Sequence, residues 1–184
     1  MDVVLGVGSN IRPETNVPAA LELLQATPAL EVLAVSPFYR TPALGSLGGD
    51  AEFVNGVFAI TTGLEPRPLK FEVLRPIEAR LGRSPSRRTG ARTIDLDVVA
   101  YGNRVVDAPD LRLPDPDWLT RAFIAVPLAE LSPAFVHPVT GLTAASIAAA
   151  LDAAALRPDP EITARLRGLL DHPPAAHGGG HEKQ

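Results

Sequence analysis

The order of helical and extended hydrophobic patterns over the first 101 residues is the feature that most constrains how this chain can fold. Continuous or alternating apolar residues predict strands, whereas apolar residues three and four apart predict helices. Six elements follow in this order: a strand at 3–8, a helix that begins at Thr15 or Asn16 and ends near 26, strands at 31–39 and 53–62, a helix at 66–82 and a strand at 92–101. This is the order of the split βαβ, ferredoxin-like fold. We therefore predict an α+β protein with a ferredoxin-like βαββαβ core.

The chain beyond residue 101 predicts further elements around this core. They are short strands at 104–106 and 111–113 and helices at 121–131, 144–156 and 159–171. From His172 onward Pro, Ala, Gly and His dominate, so little apolar surface is available for burial and we predict a disordered tail. A length of 184 residues is typical of one domain. We expect one domain at 1–158, followed by a C-terminal helix and tail at 159–184.

Two segments are predicted to be long loops, and one helix is predicted to bend. Residues 40–52 contain a proline and three glycines, and residues 83–91 are basic and flanked by glycine, so both are expected to be loops, the first of them long and mobile. Pro76 lies well inside the second helix. Because a proline removes one backbone hydrogen bond and crowds the carbonyl four residues earlier, we expect a kink near Glu72.

Composition excludes several classes of protein. The net charge of −4 argues against a general nucleic-acid binder. No apolar run reaches the roughly 18 residues that a membrane helix requires, and no signal peptide is visible after Met1. The chain has no cysteine, which fits a reducing compartment. We expect a cytoplasmic protein that binds neither membranes nor nucleic acids.

Two aspartates on the last predicted core strand are the first candidate functional residues. Asp95 and Asp97 are two positions apart, so on a strand their carboxylates lie on the same side, about 7 Å apart. Such a pair is stabilised by a divalent cation, and magnesium takes one or two protein carboxylates together with water and phosphate oxygens. The alternative is a solvent-facing strand with two ordinary surface acids. The spacing alone leaves both interpretations open.

Four arginines precede this acidic pair within ten residues that contain no acid. They are Arg83, Arg87, Arg88 and Arg92. Guanidinium groups bind phosphate through paired donors, and phosphoryl transfer depends mainly on positioning and charge stabilisation. A basic loop that pairs with surface acids is the alternative, but the combination of arginines and paired acids favours phosphate chemistry.

Seven motifs occur in a fixed order and together resemble a known enzyme family. They are Gly8-Ser9-Asn10, the segment 36–42 (SPFYRTP), Phe53-Val54-Asn55, the segment 77–83 (IEARLGR), the segment 92–97 (RTIDLD), Arg121-Ala122-Phe123 and the segment 127–131 (PLAEL). Over roughly residues 3–150 the chain resembles the hydroxymethyl-dihydropterin pyrophosphokinases of folate biosynthesis. Each motif is weak by itself, whereas the ordered set is highly specific.

The resemblance implies a reaction and a set of site residues. In that family ATP donates its β,γ-diphosphate to the hydroxymethyl group of a dihydropterin and leaves as AMP, with two magnesium ions. By resemblance, Asp95 and Asp97 hold the metal and Arg83 and Arg92 grip the phosphates. The other nucleotide-side residues are Glu78 and Arg121, and Arg112 is added to them for its positive charge although the family often has threonine there. The pterin-side residues are Thr41, Pro42, Leu44, Phe53, Asn55 and Phe123, with the two phenylalanine rings enclosing the pterin. A monomer whose long loops close over both substrates is expected.

The chain departs from the family pattern at a few positions. Thr89 and Ala91 replace a tryptophan and a proline, and Asp115 stands where a histidine on the nucleotide side is usual. An aspartate near phosphates has the opposite electrostatic effect, which Arg112 could offset. These departures motivate an alternative, a divergent paralogue that acts on another pterin or binds a pterin without catalysis. An RNA-recognition module shares the element order but needs a basic and aromatic strand segment, which is absent from the sequence.

Overall fold

An antiparallel sheet of six strands forms the centre of the protein in a computed structural model, which describes residues 3–42, 52–83 and 92–172. The strand order is β5-β1-β4-β3-β8, and β2 pairs with β4 beside β3. The strands are β1 Val3–Ser9, β2 Leu30–Val35, β3 Tyr39–Thr41, β4 Phe53–Thr62, β5 Asp95–Tyr101 and β8 Arg157–Pro158. The four long strands therefore have the order β5-β1-β4-β2, which confirms the predicted ferredoxin-like core.

Helices cover one face of this sheet. Alternate residues of β1, namely Val3, Leu5 and Val7, pack in a large apolar core. The helices α1 (Pro13–Gln25), α3 (Arg75–Arg80) and α6 (Pro160–Asp171) contribute buried side chains to the same core. Burial of this apolar surface is the main force that holds the helices on the sheet.

The opposite face is only partly covered by helices. Val4 of β1 packs in a second core with Trp118 and with apolar residues of α4 (Ala122–Leu131) and α5 (Ala144–Ala149). Farther along the same face of β1 stand Gly6 and Gly8, which carry no side chain. The polar residues of the candidate site lie around these two glycines, where neighbouring strands supply the side chains.

The second predicted helix is a continuous helical run at 66–80 whose middle part is widened. It consists of α2 (Pro66–Pro68), a π-helical segment (Leu69–Leu74) and α3. The backbone N–H of Arg75 donates to Lys70 five residues earlier, and Pro76 has no N–H to donate to Glu72. The helix thus relieves the clash at Glu72 by widening over one turn, at the place where a kink was predicted.

Several predicted boundaries are wrong. Helix α1 begins at Pro13, not at Thr15 or Asn16, because Arg12 adopts a left-handed conformation (φ 44°) as the residue before the helix. Asn16 is buried inside the helix and donates to the carbonyl of Ile11 at 2.6 Å. The predicted strand at 31–39 is two strands, since Ser36 leaves the ladder and its hydroxyl accepts from Val57 N–H at 2.9 Å.

Three further elements differ from the prediction in extent. The fourth core strand begins at Asp95, and Arg92 lies in a loop that is bonded to Asn10. Strand β6 is Val106–Ala108 and pairs with β7 (Leu111–Leu113). The helix predicted at 144–156 ends at Ala149. Most of the two predicted loops, at 43–51 and 84–91, and the tail after His172 lie outside the described residues. Within the described ranges, no helix has the length and apolar character needed to cross a membrane.

Candidate active site

Gly8 of β1 lies between the two halves of the candidate site. In the register of the sheet, Gly8 is opposite Asn55 of β4 on one side and Asp95 of β5 on the other. Directly paired residues project to the same face, so these two polar side chains flank a strip of bare backbone. A Cβ built on Gly8 would lie 3.0 Å from Oδ1 of Asn55 and 4.0 Å from Cβ of Asp95. A residue without a side chain is therefore the one that fits here without displacing Asn55.

Asp95 is the more enclosed of the two aspartates on the charged side of Gly8. Its side chain is 12 % exposed and forms ion pairs with Arg83, whose Nη1 lies 2.5 Å from Oδ1, and with Arg92. The structure therefore brings the two predicted phosphate-binding arginines that it describes onto one predicted metal ligand. The other two, Arg87 and Arg88, lie outside the described residues together with Thr89 and Ala91.

Glu78 supports this cluster from the edge of the sheet. Its side chain is 1 % exposed and accepts a hydrogen bond from the backbone N–H of Leu96 at 2.7 Å. It also forms ion pairs with Arg75, at 2.6 Å, and with Arg83. Burial raises the pKa of Glu78, and the two guanidinium groups oppose that rise. Glu78 thus fixes both arginines against the strand that carries the aspartates.

Asp97 is more open than Asp95. Its side chain is 39 % exposed, and its ion pair is with Arg75, whose Nη2 lies 3.3 Å from Oδ1. Burial, followed by the charge of Asp95, raises the pKa of Asp97 to about 6. Since the group still reaches solvent, an arriving cation can contact it directly and would favour its charged form.

The donor set fits a magnesium ion. Oδ1 of Asp95 is buried and accepts no well-directed hydrogen bond, although charged nitrogens lie nearby, so its lone pairs are available to a cation. In the described part of the chain no group of three or more acidic, histidine or cysteine side chains could hold a metal. Two carboxylates that leave the other positions to water and phosphate are what magnesium prefers.

Arg75 was missed by sequence reasoning. It forms ion pairs with Glu78 and Asp97 and lies 3.9 Å from Asp95, so it contacts all three acids of the site. A usable signal existed, because Arg75 precedes Glu78 by three residues and such pairs meet on a helix surface. What the pattern does not show is that this helix face lies against the edge of β5.

A cavity of about 300 Å³ opens beside Asp97. Six of its lining residues are charged: Lys70, Asp97, Asp110, Arg112, Asp115 and Asp117. Lys70 was also missed by sequence reasoning. The size is at the lower end of the range for small-molecule sites. Because Asp97 lines it, a ligand in this cavity would reach the acidic pair with one end.

Asp115 has a structural role that its position next to Pro116 could have indicated. Its carboxylate accepts from the N–H of Asp117 at 2.9 Å and caps the short 3₁₀ helix Pro116–Leu119. Burial, followed by the charge of Asp117, raises the pKa of Asp115. Arg112, whose positive charge was predicted to offset that of Asp115, pairs with Asp107 at 3.2 Å. Its charge is therefore only partly available to a ligand. Arg121 precedes α4 and lies 3.8 Å from Asp117.

On the neutral side of Gly8, the sheet brings three of the six predicted pterin residues together: Thr41, Phe53 and Asn55. Asn55 donates through Nδ2 to the hydroxyl of Thr41 at 2.9 Å, and both side chains are 7 % exposed. Phe53 is opposite Thr41 in the β3–β4 ladder and is half-buried. Phe123, in the first turn of α4, is half-buried, and the two rings make no contact with each other in the described residues. Pro42 is exposed, and Leu44 lies outside the described residues.

The sequence matches a family model over residues 4–133, which includes both sides of this site. The model is that of 7,8-dihydro-6-hydroxymethylpterin-pyrophosphokinase. This chain belongs to the 7,8-dihydro-6-hydroxymethylpterin-pyrophosphokinase family. The match confirms the resemblance that the seven ordered motifs indicated.

Individual relatives agree with this membership of the pyrophosphokinase family. Two proteins named 2-amino-4-hydroxy-6-hydroxymethyldihydropteridine pyrophosphokinase are similar to the chain. The one from Methylorubrum extorquens is 45 % identical over 149 residues, which cover 80 % of this chain and 92 % of the relative. The one from Pseudomonas aeruginosa is 39 % identical over 132 residues, which cover 71 % and 80 %.

A solved structure supports the fold of this pyrophosphokinase family member. The HPPK-DHPS protein of Plasmodium falciparum superposes with a TM-score of 0.57 at 13 % sequence identity. The superposition covers 81 % of this chain and 43 % of that protein. At this low identity the likeness concerns the fold alone, and it agrees with the α+β, ferredoxin-like architecture.

Proposed function

We propose that this chain is a magnesium-dependent enzyme that transfers the β,γ-diphosphate of ATP to the hydroxymethyl group of 6-hydroxymethyl-7,8-dihydropterin and releases AMP. One observation carries the proposal: Gly8 is flanked by Asp95, in a cluster of arginines, and by Asn55, in a neutral polar pocket. A charged phosphate donor and a neutral ring substrate thus have adjacent sites on one face of the sheet. Family membership is consistent with both substrates.

The nucleotide is proposed to occupy the cavity beside Asp97, with its triphosphate directed toward Asp95. Arg83 and Arg92 are held at Asp95 and can bind phosphate oxygens in pairs. We propose that Lys70 and Arg112 contribute positive charge at the cavity wall, and Arg121 at the nearby start of α4. Magnesium, when bound by Asp95 and Asp97, would offset the negative charge of the triphosphate and make the β-phosphorus more electrophilic. Two magnesium ions are proposed.

The pterin is proposed to lie on the neutral side, against Thr41, Asn55 and the rings of Phe53 and Phe123. The Thr41–Asn55 bond fixes the Asn55 amide, so its remaining donor and acceptor capacity is presented in a defined direction. Pro42 and Leu44 would complete the pocket. Residues that are already positioned lower the entropy cost of bringing the hydroxymethyl oxygen to the β-phosphorus.

The bond changes in the proposed step are balanced. The pterin hydroxyl oxygen forms a bond to the β-phosphorus, and the bond between that phosphorus and the oxygen shared with the α-phosphate breaks. The oxygen leaves with AMP, and the hydroxyl proton passes to solvent. The arginines stabilise the negative charge that develops on the transferred group and on AMP, and a magnesium ion held by Asp95 and Asp97 would add to that stabilisation.

The location, oligomeric state and catalytic unit of the enzyme are also proposed. We propose that the enzyme acts as a cytoplasmic monomer and that residues 1–158 form the catalytic unit. Helix α6 packs against α1 and β2 and buries Ile162 and Leu166 in the first core, so it would buttress that unit from outside the family match.

Nucleotide analysis of the reaction tests the proposal. Purified protein is incubated with ATP and magnesium, with and without the pterin alcohol, and the nucleotides are separated by chromatography. We expect AMP to form only when both the pterin and magnesium are present. ADP as the product, or AMP formation that ignores the pterin, would contradict diphosphate transfer.

A further inference from the structure

Arg75 occupies an unusual place among the arginines of the site. Its Nη1 lies 2.6 Å from Oε2 of Glu78, and its Nη2 lies 3.3 Å from Oδ1 of Asp97. In the described part of the chain, no other arginine or lysine forms an ion pair with Asp97, whereas Asp95 pairs with Arg83 and Arg92 as well. The negative charge of Asp97 is therefore matched mainly by one guanidinium.

Arg75 and a bound metal would compete for the carboxylate of Asp97. Arg75 donates a hydrogen bond to this carboxylate, which a metal held between Asp95 and Asp97 would also contact. Arg75 also lies 3.9 Å from Oδ1 of Asp95, so its charge is close to both ligands. A divalent ion and a guanidinium that share one carboxylate repel each other, and this repulsion weakens the binding of the metal.

Arg75 can break its ion pair with Asp97 and still keep its ion pair with Glu78. Glu78 is 1 % exposed and keeps one nitrogen of Arg75 at the edge of the sheet. The other nitrogen faces the more exposed Asp97, and the Arg75 side chain is itself 34 % exposed. The guanidinium can therefore turn about the Glu78 contact, and phosphate oxygens that arrive with a nucleotide can accept its freed hydrogen bonds.

We infer that Arg75 is a positioning residue that acts as an internal competitor of the metal. It holds Asp97 in the metal-free protein, weakens metal binding in the absence of nucleotide, and releases Asp97 when a nucleotide supplies other acceptors. Metal loading is thereby coupled to nucleotide binding. This inference rests on the proposed function, because it takes Asp95 and Asp97 as the metal ligands.

Manganese binding to the full chain without nucleotide tests the inference. Free Mn²⁺ is counted by electron paramagnetic resonance for the natural protein and for Arg75→Gln, Arg75→Lys and Arg80→Gln. Arg80 lies on the same helix, is exposed and forms no ion pair in the described residues, so its loss changes the net charge equally. We expect Arg75→Gln to bind Mn²⁺ about tenfold more tightly than Arg80→Gln, a factor typical of coupled sites.

The lysine variant keeps the test decisive if the glutamine variant does not fold. A single ammonium group cannot serve Glu78 and Asp97 with the fixed fork of a guanidinium, so Arg75→Lys should bind Mn²⁺ more tightly than the natural protein, whose net charge it keeps. Circular dichroism establishes which variants are folded. The inference would be overturned if folded Arg75→Gln bound Mn²⁺ no more tightly than Arg80→Gln, or if folded Arg75→Lys bound it no more tightly than the natural protein.

A parallel titration with a non-hydrolysable ATP analogue separates this inference from the proposed function. With the analogue present, the difference in Mn²⁺ affinity between Arg75→Gln and Arg80→Gln should become smaller, because phosphate oxygens then bind the Arg75 guanidinium that Arg80→Gln retains. A difference in Mn²⁺ affinity that stays the same would count against the release of Asp97. If the natural protein binds no Mn²⁺ even with the analogue, or Asp97→Asn binds it equally well, the metal site itself is refuted.

Discussion

The two sides of Gly8 are built on different physical terms although they share one sheet face. On the β5 side, three carboxylates and three arginines form a network of ion pairs at the sheet edge. On the β4 side, Thr41 and Asn55 form one neutral hydrogen bond in a buried pocket. The charged side suits a ligand that brings its own charge and metal, and the neutral side suits a ring with a polar edge. Under the proposed function, the two substrates are separated by the different side chains of β5 and β4, which flank β1.

The largest effect is expected on the charged side. Replacing Asp95 or Asp97 by alanine should lower kcat by about 10³-fold or more, because the charge stabilisation of the transferred group is lost. The KM for the pterin should change little. Steady-state kinetics with saturating pterin check both values.

Glu31→Ala is the matched control for this loss, since Glu31 is an exposed acid on another strand of the sheet. It should keep full activity. Activity that is indifferent to Asp95 and Asp97 would revive the alternative of two ordinary surface acids.

The next largest effect is expected on the neutral side, where a substitution should change the KM for the pterin more than kcat. Asn55→Ala removes a buried hydrogen-bonding amide and leaves the Thr41 hydroxyl without its partner. We expect the KM for the pterin to rise about 10- to 100-fold, the range for an unpaired buried polar group, while the KM for ATP stays near its original value. A rise in the KM for ATP instead would show that the two sides are not separate.

A smaller effect is expected from the strand between the two sides. In Gly8→Ala the new methyl group lies 3.0 Å from Oδ1 of Asn55, which is too close, so Asn55 must shift. Its distance of 4.0 Å to Cβ of Asp95 is an ordinary contact, so Asp95 need not move. We expect a pterin KM raised about 3- to 10-fold, which corresponds to part of one hydrogen bond. Gly63→Ala is the control, because its Cβ would meet no atom within 4 Å. Equal effects of the two variants would contradict this account of Gly8.

The smallest catalytic effect is expected at Asp115, although it lines the cavity beside Asp97. Asp115→Ala removes the cap of the 3₁₀ helix and should lower the free energy of unfolding by about 1 kcal/mol. Asp115→Asn keeps a capping oxygen and should restore stability. Chemical denaturation measures both. If Asp115→Asn changed the KM for ATP more than twofold at full stability, Asp115 would belong to the charged side as a ligand.

The sequence indicated the strand that carries Asp95 and Asp97 better than the contacts around it. Alternation at 94–98 predicts the shared face of Asp95 and Asp97, because the period of a strand is fixed by backbone geometry. The same reasoning could not find Arg75, since its role depends on where a helix crosses the edge of a sheet. Asp115 shows a third case. An aspartate before a proline is a recognised helix-start signal, but its difference from the family pattern drew attention to charge instead.

Boundaries failed where side chains compete with the backbone. Ser36 ends β2 by bonding to Val57, and Arg92 stays outside β5 because its backbone pairs with Asn10 and Ile11. Neither partner is near in sequence, so local patterns do not reveal them. The left-handed Arg12 moved the start of α1 forward to Pro13, where the proline at the first helical position is a favourable residue.

The central claim is that metal and pterin bind on the two sides of Gly8, two strand spacings or about 10 Å apart. Proton NMR of the bound pterin, with a non-hydrolysable ATP analogue and Mn²⁺ in place of magnesium, tests it most directly. We predict strong paramagnetic broadening of the pterin protons, which is lost in Asp95→Asn. Sharp pterin resonances with both ligands bound and Mn²⁺ present would contradict the account.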